Sequence, residues 1–385
     1  MSDYNFDAIR PYGAGEMKKA LNDLLSDRQF SRMLRGLIPF VPTFLVKWVL
    51  RLAFWGIETP LQFQIRYMKP VVEHILRKYS KGATMQTDGV APGPERYLFL
   101  SNHRDIVLDS AILSVLLYQN NFPTTCEIAI GDNLLIYPWI KTLVKMNKAF
   151  TVRRGLSPRE LMESSLMMSA YIHHAITEKH ENVWMAQREG RAKDSSDQTQ
   201  DSVLKMLALE GKGSDLQRLM ALNIVPLSIS YEYDPCDYLK AKEFQLKRDN
   251  PSYKKSKQDD LDNMKTGLFG QKGRIHYHAS SCINVWLPEL EGMPRKEFFA
   301  EVAARIDKQI HAGYQLFPGN YVAYDMLHHT NRMTCHYTEN DKKVFEDYLA
   351  SRIAKVDLPN PDEDFLRERM LTMYANPVVN KIINT

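Results

Sequence analysis

SNHRDIVLDS, residues 101–110, lies between two apolar runs, Tyr97–Leu100 before it and Ile112–Leu117 after it. The first run reads as a strand and the second as a mostly buried helix. His103 then sits at the carboxyl end of a strand, where α/β folds place their ligands. Asp109 sits in the first turns of the helix. A buried carboxylate needs a partner, and His103 is the nearest candidate. Imidazole titrates near neutral pH and suits a general base. A carboxylate on its far nitrogen fixes the tautomer and stabilises the imidazolium. Asp105 is a second candidate for that partner. Its plainer role is an N-cap for a helix beginning at Ile106, a position Asp favours.

Three further blocks follow in order. IAIGDNLL, residues 128–135, is followed by Pro138 and then KAFTVRRG, residues 148–155. An apolar strand there leads into Arg153 and Arg154, and guanidinium forks bind phosphate bidentately. Gly155 suits a tight turn. VWMAQREGRAKDSSD, residues 183–197, ends a strand in Glu189, Gly190 and Arg191. A glycine permits close backbone approach to a ligand, and the flanking Arg188 and Lys193 add cations. IVPLSISY, residues 224–231, reads as a buried strand with Pro226 near its start.

The four blocks, from about Tyr97 to Tyr231, resemble those of the glycerolipid acyltransferases, the glycerol-3-phosphate and lysophosphatidate acyltransferase superfamily. Two details depart from the family pattern. Five residues separate His103 from Asp109, one more than in the family, and Arg191 comes one residue early. The resemblance implies an α/β fold, a mixed sheet flanked by helices. It implies His103 and Asp109 as the catalytic pair, with Arg104, Arg153, Arg154, Glu189, Gly190 and Arg191 holding substrate. It implies that Pro226 shapes the acyl-donor side. The donor would be an acyl thioester, on coenzyme A or acyl carrier protein, as co-substrate. No metal or other cofactor is needed, because the thioester is already activated. The acceptor would be a glycerol-phosphate hydroxyl, with a lysophospholipid or lyso-amino lipid as the alternative. A catalytically silent lipid-binding protein on the same fold is a reading of another class. A serine hydrolase is disfavoured because no Gly-x-Ser-x-Gly elbow occurs.

The 385 residues, 44% of them hydrophobic, allow a large core. A net charge of +4 does not suggest nucleic-acid binding. It does suit anionic headgroups and phosphorylated substrates. Cys126, Cys236, Cys282 and Cys335 are scattered, with no disulfide or zinc spacing, so a reducing compartment is expected. The start, MSDYNFDAIRPYG, lacks a secretory pattern.

Residues 37–57 are the most apolar stretch, yet they carry Lys47 and Arg51 and are cut by Pro39 and Pro42. Thr43, Lys47, Arg51, Glu58, Gln62 and Arg66 form a narrow polar stripe. Phe44, Leu45, Trp48, Val49, Leu52 and Trp55 form the opposite face. The expectation is an amphipathic helix in a membrane interface, with snorkelling cations and tryptophan anchors. A helix buried against the catalytic domain is the alternative. Members of the resembled family are often membrane-associated. The expected location is therefore the cytoplasmic face of a membrane, peripheral or monotopic.

Three regions are expected. They are N-terminal helices over 1–80, an alternating strand–helix catalytic domain over 81–290, and a helical region over 291–385. Residues 80–96 read as a polar lead-in. Residues 234–273 read as a solvated basic insertion, with GLFGQKG (residues 267–273) resembling a phosphate loop only superficially. In Arg274–Ile283, the residues Ile275, Tyr277 and Ala279 share one strand face. Alternation on an exposed face explains His276 and His278 better than metal ligation with Cys282.

Overall fold

The computed structural model describes residues 4–37 and 40–383. Pro39, one of the prolines expected to cut the apolar stretch, falls outside the described residues. Five short N-terminal helices come first: α1 (Met17–Ser26), α2 (Arg28–Leu37), α3 (Thr43–Ala53), α4 (Pro60–Phe63) and, after a π-helical turn, α5 (Lys69–Tyr79). The sheet region follows as β1 (Ala83–Thr87), β2 (Leu98–Ser101), α6 (Leu108–Gln119), β3 (Cys126–Gly131), α7 (Pro138–Met146), β4 (Ala149–Val152), α8 (Pro158–Thr177) and β5 (Asn182–Ala186). It continues through α9 (Asp201–Leu207), α10 (Asp215–Ala221), β6 (Ile224–Tyr231), α11 (Asp237–Asp249), α12 (Lys257–Phe269) and β7 (Ile275–Ala279). The chain closes with α13 (Arg295–Ala312), α14 (Pro318–His328), α15 (Glu339–Ile353) and α16 (Glu363–Val378).

The seven strands form one mixed sheet in the order β1-β7-β6-β2-β5-β3-β4. β6, β2, β5, β3 and β4 run parallel, while β7 is antiparallel to β6 and carries β1 parallel to itself. Both faces of the central strands are covered, so their sequences are apolar throughout rather than alternating. Every residue of β2 and β6 is buried. One face carries Phe99, Trp184, Val225, Leu227, Ile229 and Tyr277 against α5 and α6. The other carries Leu98, Leu100, Val183, Met185 and Ile224 against α8, α9 and α13. Pro226 accepts from the Ser280 amide at 3.0 Å, on the β7 side and just outside the last β6–β7 pair, Leu227 with Ala279. Its missing N–H therefore leaves the β2 ladder intact.

Three sequence expectations change. The polar lead-in contains β1, an edge strand whose outward residues are exposed and so give no apolar signal. The basic insertion is not a loose surface but two docked helices, α11 and α12. Asp237 opens α11 and Lys247 and Arg248 close it, which complements the helix dipole. Lys240 is buried against Asp234, and Lys247, Arg248 and Lys255 are ion-paired to Glu243, Asp362 and Asp260. The polar stripe from Thr43 to Arg66 is not one helix, because the chain turns between Ala53 and Pro60.

The expected helical tail divides between two cores. α13 lies on the sheet through Phe298, Phe299, Val302, Ile306 and Ile310. The remaining C-terminal helices build their own core with α11. At the other end, α1 and α2 pack on α7 through Leu24, Leu25, Phe30 and Met146. α3 turns Val46, Leu50 and Phe54 toward this cluster. Its other face, Phe44, Leu45, Trp48, Val49 and Leu52, is exposed, as are Trp55 (82%) and Phe40 (96%). An apolar patch of this kind marks an interaction surface on a protein that is otherwise well packed. Among the described residues no helix is long and apolar enough to cross a membrane.

Candidate active site

His103 lies two residues beyond β2, at the carboxyl edge of the sheet's central strand. Its Nδ1 is 2.8 Å from Oδ2 of Asp109, in the first turn of α6. Asp109 is fully buried, while the His103 side chain keeps 14% exposure. The ring thus has one nitrogen held inside. The same Asp109 oxygen accepts the amides of Arg104 at 2.7 Å and Asp105 at 3.0 Å. Three donors on one oxygen offset the cost of burying the carboxylate and hold it in one orientation. Trp184 of β5 meets the imidazole edge-to-face at 5.5 Å and donates its indole N–H to Ser101.

The extra residue between His103 and Asp109 is absorbed locally. Asp105 Oδ1 accepts the amides of Val107 at 2.9 Å and Leu108 at 2.7 Å, closing an Asx turn before the helix. Of the two carboxylates, Asp109 is the one that pairs with His103. Asp105 caps the turn, and the helix begins at Leu108 rather than Ile106. Burial, and then the neighbouring Asp109, raise the Asp105 carboxyl above the usual range.

The arginines separate by position. Arg104, expected among the substrate-binding residues, is held by Asp197 at 2.6 Å and Ser195 at 2.6 Å, with Tyr314 beneath it. It is buried and committed to that ion pair. Arg153 and Arg154 follow β4 at the same carboxyl edge as His103, since β2, β5, β3 and β4 run parallel. Arg153 is exposed. Arg154 runs past Gly131 at the end of β3, donates its amide to Asp132 and pairs with Glu189. A methyl group at Gly131 would stand 3.5 Å from the Arg154 guanidine and closer still to Asn133. Gly155 and Gly190 both adopt positive φ, at 66° and 70°, which glycine allows without strain. Arg191 donates to Asn263 of α12 at 3.0 Å, and its other terminal nitrogen is buried without a hydrogen-bond partner. Lys193 is paired with Glu243. His276 contacts Thr84, and His278 pairs with Asp88.

α12 and the turn after it bring to the site part of the GLFGQKG stretch that the sequence reading set aside as only superficially like a phosphate loop. Gly267 packs directly on Asp105, and Lys272, wholly buried, donates to the Leu268 and Gly270 carbonyls. Burial holds the Lys272 ammonium down to about 8, against the pull of Asp105, Cys236 and Asp234. Between pH 8 and the ordinary lysine value, the unfolded chain binds the extra proton, so stability rises with pH there. The full span corresponds to about 3 kcal/mol. Urea unfolding across pH 7.5–10.5 should show that rise in wild type and not in Lys272→Met.

Residues 83–230 match the family model described as Acyltransferase. This stretch carries an acyltransferase-family domain. The match begins with β1, ends one residue short of the end of β6, and contains His103, Asp109 and all the predicted arginines. The chain is therefore an acyltransferase enzyme with helical additions at both ends. No curated protein matches it. Among solved structures it is similar to the crystal structure of the 1-acyl-sn-glycerophosphate (LPA) acyltransferase PlsC from Thermotoga maritima. That likeness covers 78% of this chain and 99% of the other at 10% identity, with a TM-score of 0.38. An overlap so loose says nothing about substrate.

Proposed function

We propose that this acyltransferase esterifies the hydroxyl of a phosphorylated glycerol with a fatty acyl group taken from a thioester, on coenzyme A or acyl carrier protein, at a membrane surface. The observation that carries the proposal is the His103–Asp109 pair, a buried carboxylate 2.8 Å from an imidazole that keeps solvent access. His103 removes the acceptor's hydroxyl proton on its outer nitrogen as the oxygen attacks the thioester carbonyl. Asp109 stabilises the imidazolium that forms. Collapse of the tetrahedral adduct expels the thiolate, which takes the proton back from His103. The products are an ester and a free thiol, with no protein nucleophile involved.

Arg153, exposed at the carboxyl edge, and Arg191, with one buried nitrogen unpartnered, supply cations suited to the acceptor phosphate. Arg154 is paired with Glu189, which joins the β4 and β5 loops at the same edge of the sheet. The exposed apolar residues of α3 and the turn after it support docking on a membrane surface, with Trp48 and Trp55 as interfacial anchors, and the proposed side is the cytoplasmic one.

The test is acyl transfer by the purified protein, using both thioester types and a panel of glycerol-3-phosphate, lysophosphatidate and lyso-amino lipids. Transfer to phosphorylated glycerols above the other acceptors is expected. Transfer only to an unphosphorylated acceptor would reassign the substrate. With the phosphorylated acceptor, Arg153→Ala should raise KM by about tenfold or more and leave kcat nearly unchanged, since a charge-assisted contact is worth roughly 1.5–3 kcal/mol. An unphosphorylated acceptor should show no such rise.

A further inference from the structure

α12 comes from a segment that reads as surface insertion, yet it lies against the catalytic loop. A Cβ added at Gly267 would stand 2.0 Å from Asp105 Oδ2 and 3.0 Å from its Cγ. The helix backbone therefore lies directly against the Asp105 carboxylate, with no room for a side chain at 267. Asp105 is the hinge of the loop. Its amide holds the same Asp109 oxygen that receives His103 Nδ1, and its own Oδ1 gathers the Val107 and Leu108 amides. A displaced Asp105 carboxylate would carry its amide with it and so shift Asp109 relative to His103. Midway along α12, Asn263 receives Arg191, and just beyond its C-terminus Lys272 ties off the Leu268 and Gly270 carbonyls, so the helix is held at its middle and at its C-terminal end.

We infer that Gly267 and Asp105 form a fitted contact through which α12 sets the distance between His103 and Asp109, making both of them positioning residues for the transfer step. The inference rests on the His103–Asp109 pair being the catalytic one. It also gives the extra loop residue a purpose: the longer loop carries the side chain on which α12 bears.

The experiment compares Gly267→Ala, Asp105→Ser and the double variant with wild type and His103→Ala in one acyl-transfer assay. Misplacing a catalytic group by about 1 Å can cost roughly 10²-fold in rate. Gly267→Ala should therefore lower kcat by about tenfold to a hundredfold, with KM held within about twofold. The pH profile of kcat/KM should move, because the His103–Asp109 distance changes. A serine at 105 is shorter but still accepts the turn amides. The double variant should therefore regain the activity and pH profile of Asp105→Ser alone. Near-normal kcat in Gly267→Ala, or a double variant no better than Gly267→Ala, would overturn the inference. Should Gly267→Ala not fold, the double variant decides: recovery of both fold and Asp105→Ser activity supports the contact, and failure to recover overturns it. Wild-type turnover in His103→Ala would instead sink the catalytic reading itself, whatever the rescue shows.

Discussion

Replacing His103 with alanine is expected to lower kcat for acyl transfer by at least about 10²–10⁴-fold, the usual contribution of a positioned general base. The side chain contributes little to stability, because it is partly exposed and its one strong partner, Asp109, keeps two backbone amides after the ring is gone. Thermal unfolding of the variant should thus stay close to wild type, which separates lost chemistry from lost fold. Asp109→Asn should fall by a comparable factor in kcat for a different reason. An amide cannot accept from the ring as a carboxylate does and leaves the imidazolium unsupported. The pair acts as a unit, so the double variant should be little worse than His103→Ala alone. Additive losses would mean that the two residues work separately.

The second large effect concerns the exposed face of α3. Burying one aromatic side chain is worth about 1.5–3 kcal/mol. Trp48→Glu with Trp55→Glu should therefore cut partitioning onto anionic phospholipid vesicles by roughly a hundredfold or more. Both residues point away from the protein core, so melting should not change. Activity on vesicle-embedded acceptor should fall in step with binding. Activity on a short-chain acceptor dissolved in water should persist. Vesicle flotation with a parallel activity assay reads both. Unchanged flotation would remove α3 as the membrane anchor.

The legible parts of this chain are those whose signal is local. β2 and β6 are apolar throughout because they are covered on both faces, and α6 carries a long buried apolar run, so all three are visible in composition. His103 and Asp109 were readable because strand end and helix start fall next to each other in sequence. The sequence leaves Asp109 and Asp105 as alternatives because both lie within six residues of His103, and only the Asx turn at Asp105 and the pairing of Asp109 separate them. β1 was hidden because an exposed edge strand lacks an apolar run. Arg104 read as a binding cation because nothing in the sequence announces that Asp197, far along the chain, would claim it. The GLFGQKG stretch that holds Gly267 and Lys272 reads as an ordinary surface turn for the same reason: its meaning depends on α12 folding back onto a loop more than a hundred and fifty residues earlier.

The most direct measurement is product stoichiometry. Purified wild-type protein on phospholipid vesicles would be given a labelled fatty acyl thioester and glycerol-3-phosphate or lysophosphatidate, with released thiol and new ester counted together. One ester formed per thiol released, with both absent in His103→Ala, is the expected result. Thiol released without ester, or ester formed undiminished by His103→Ala, would contradict acyl transfer by the His103–Asp109 pair.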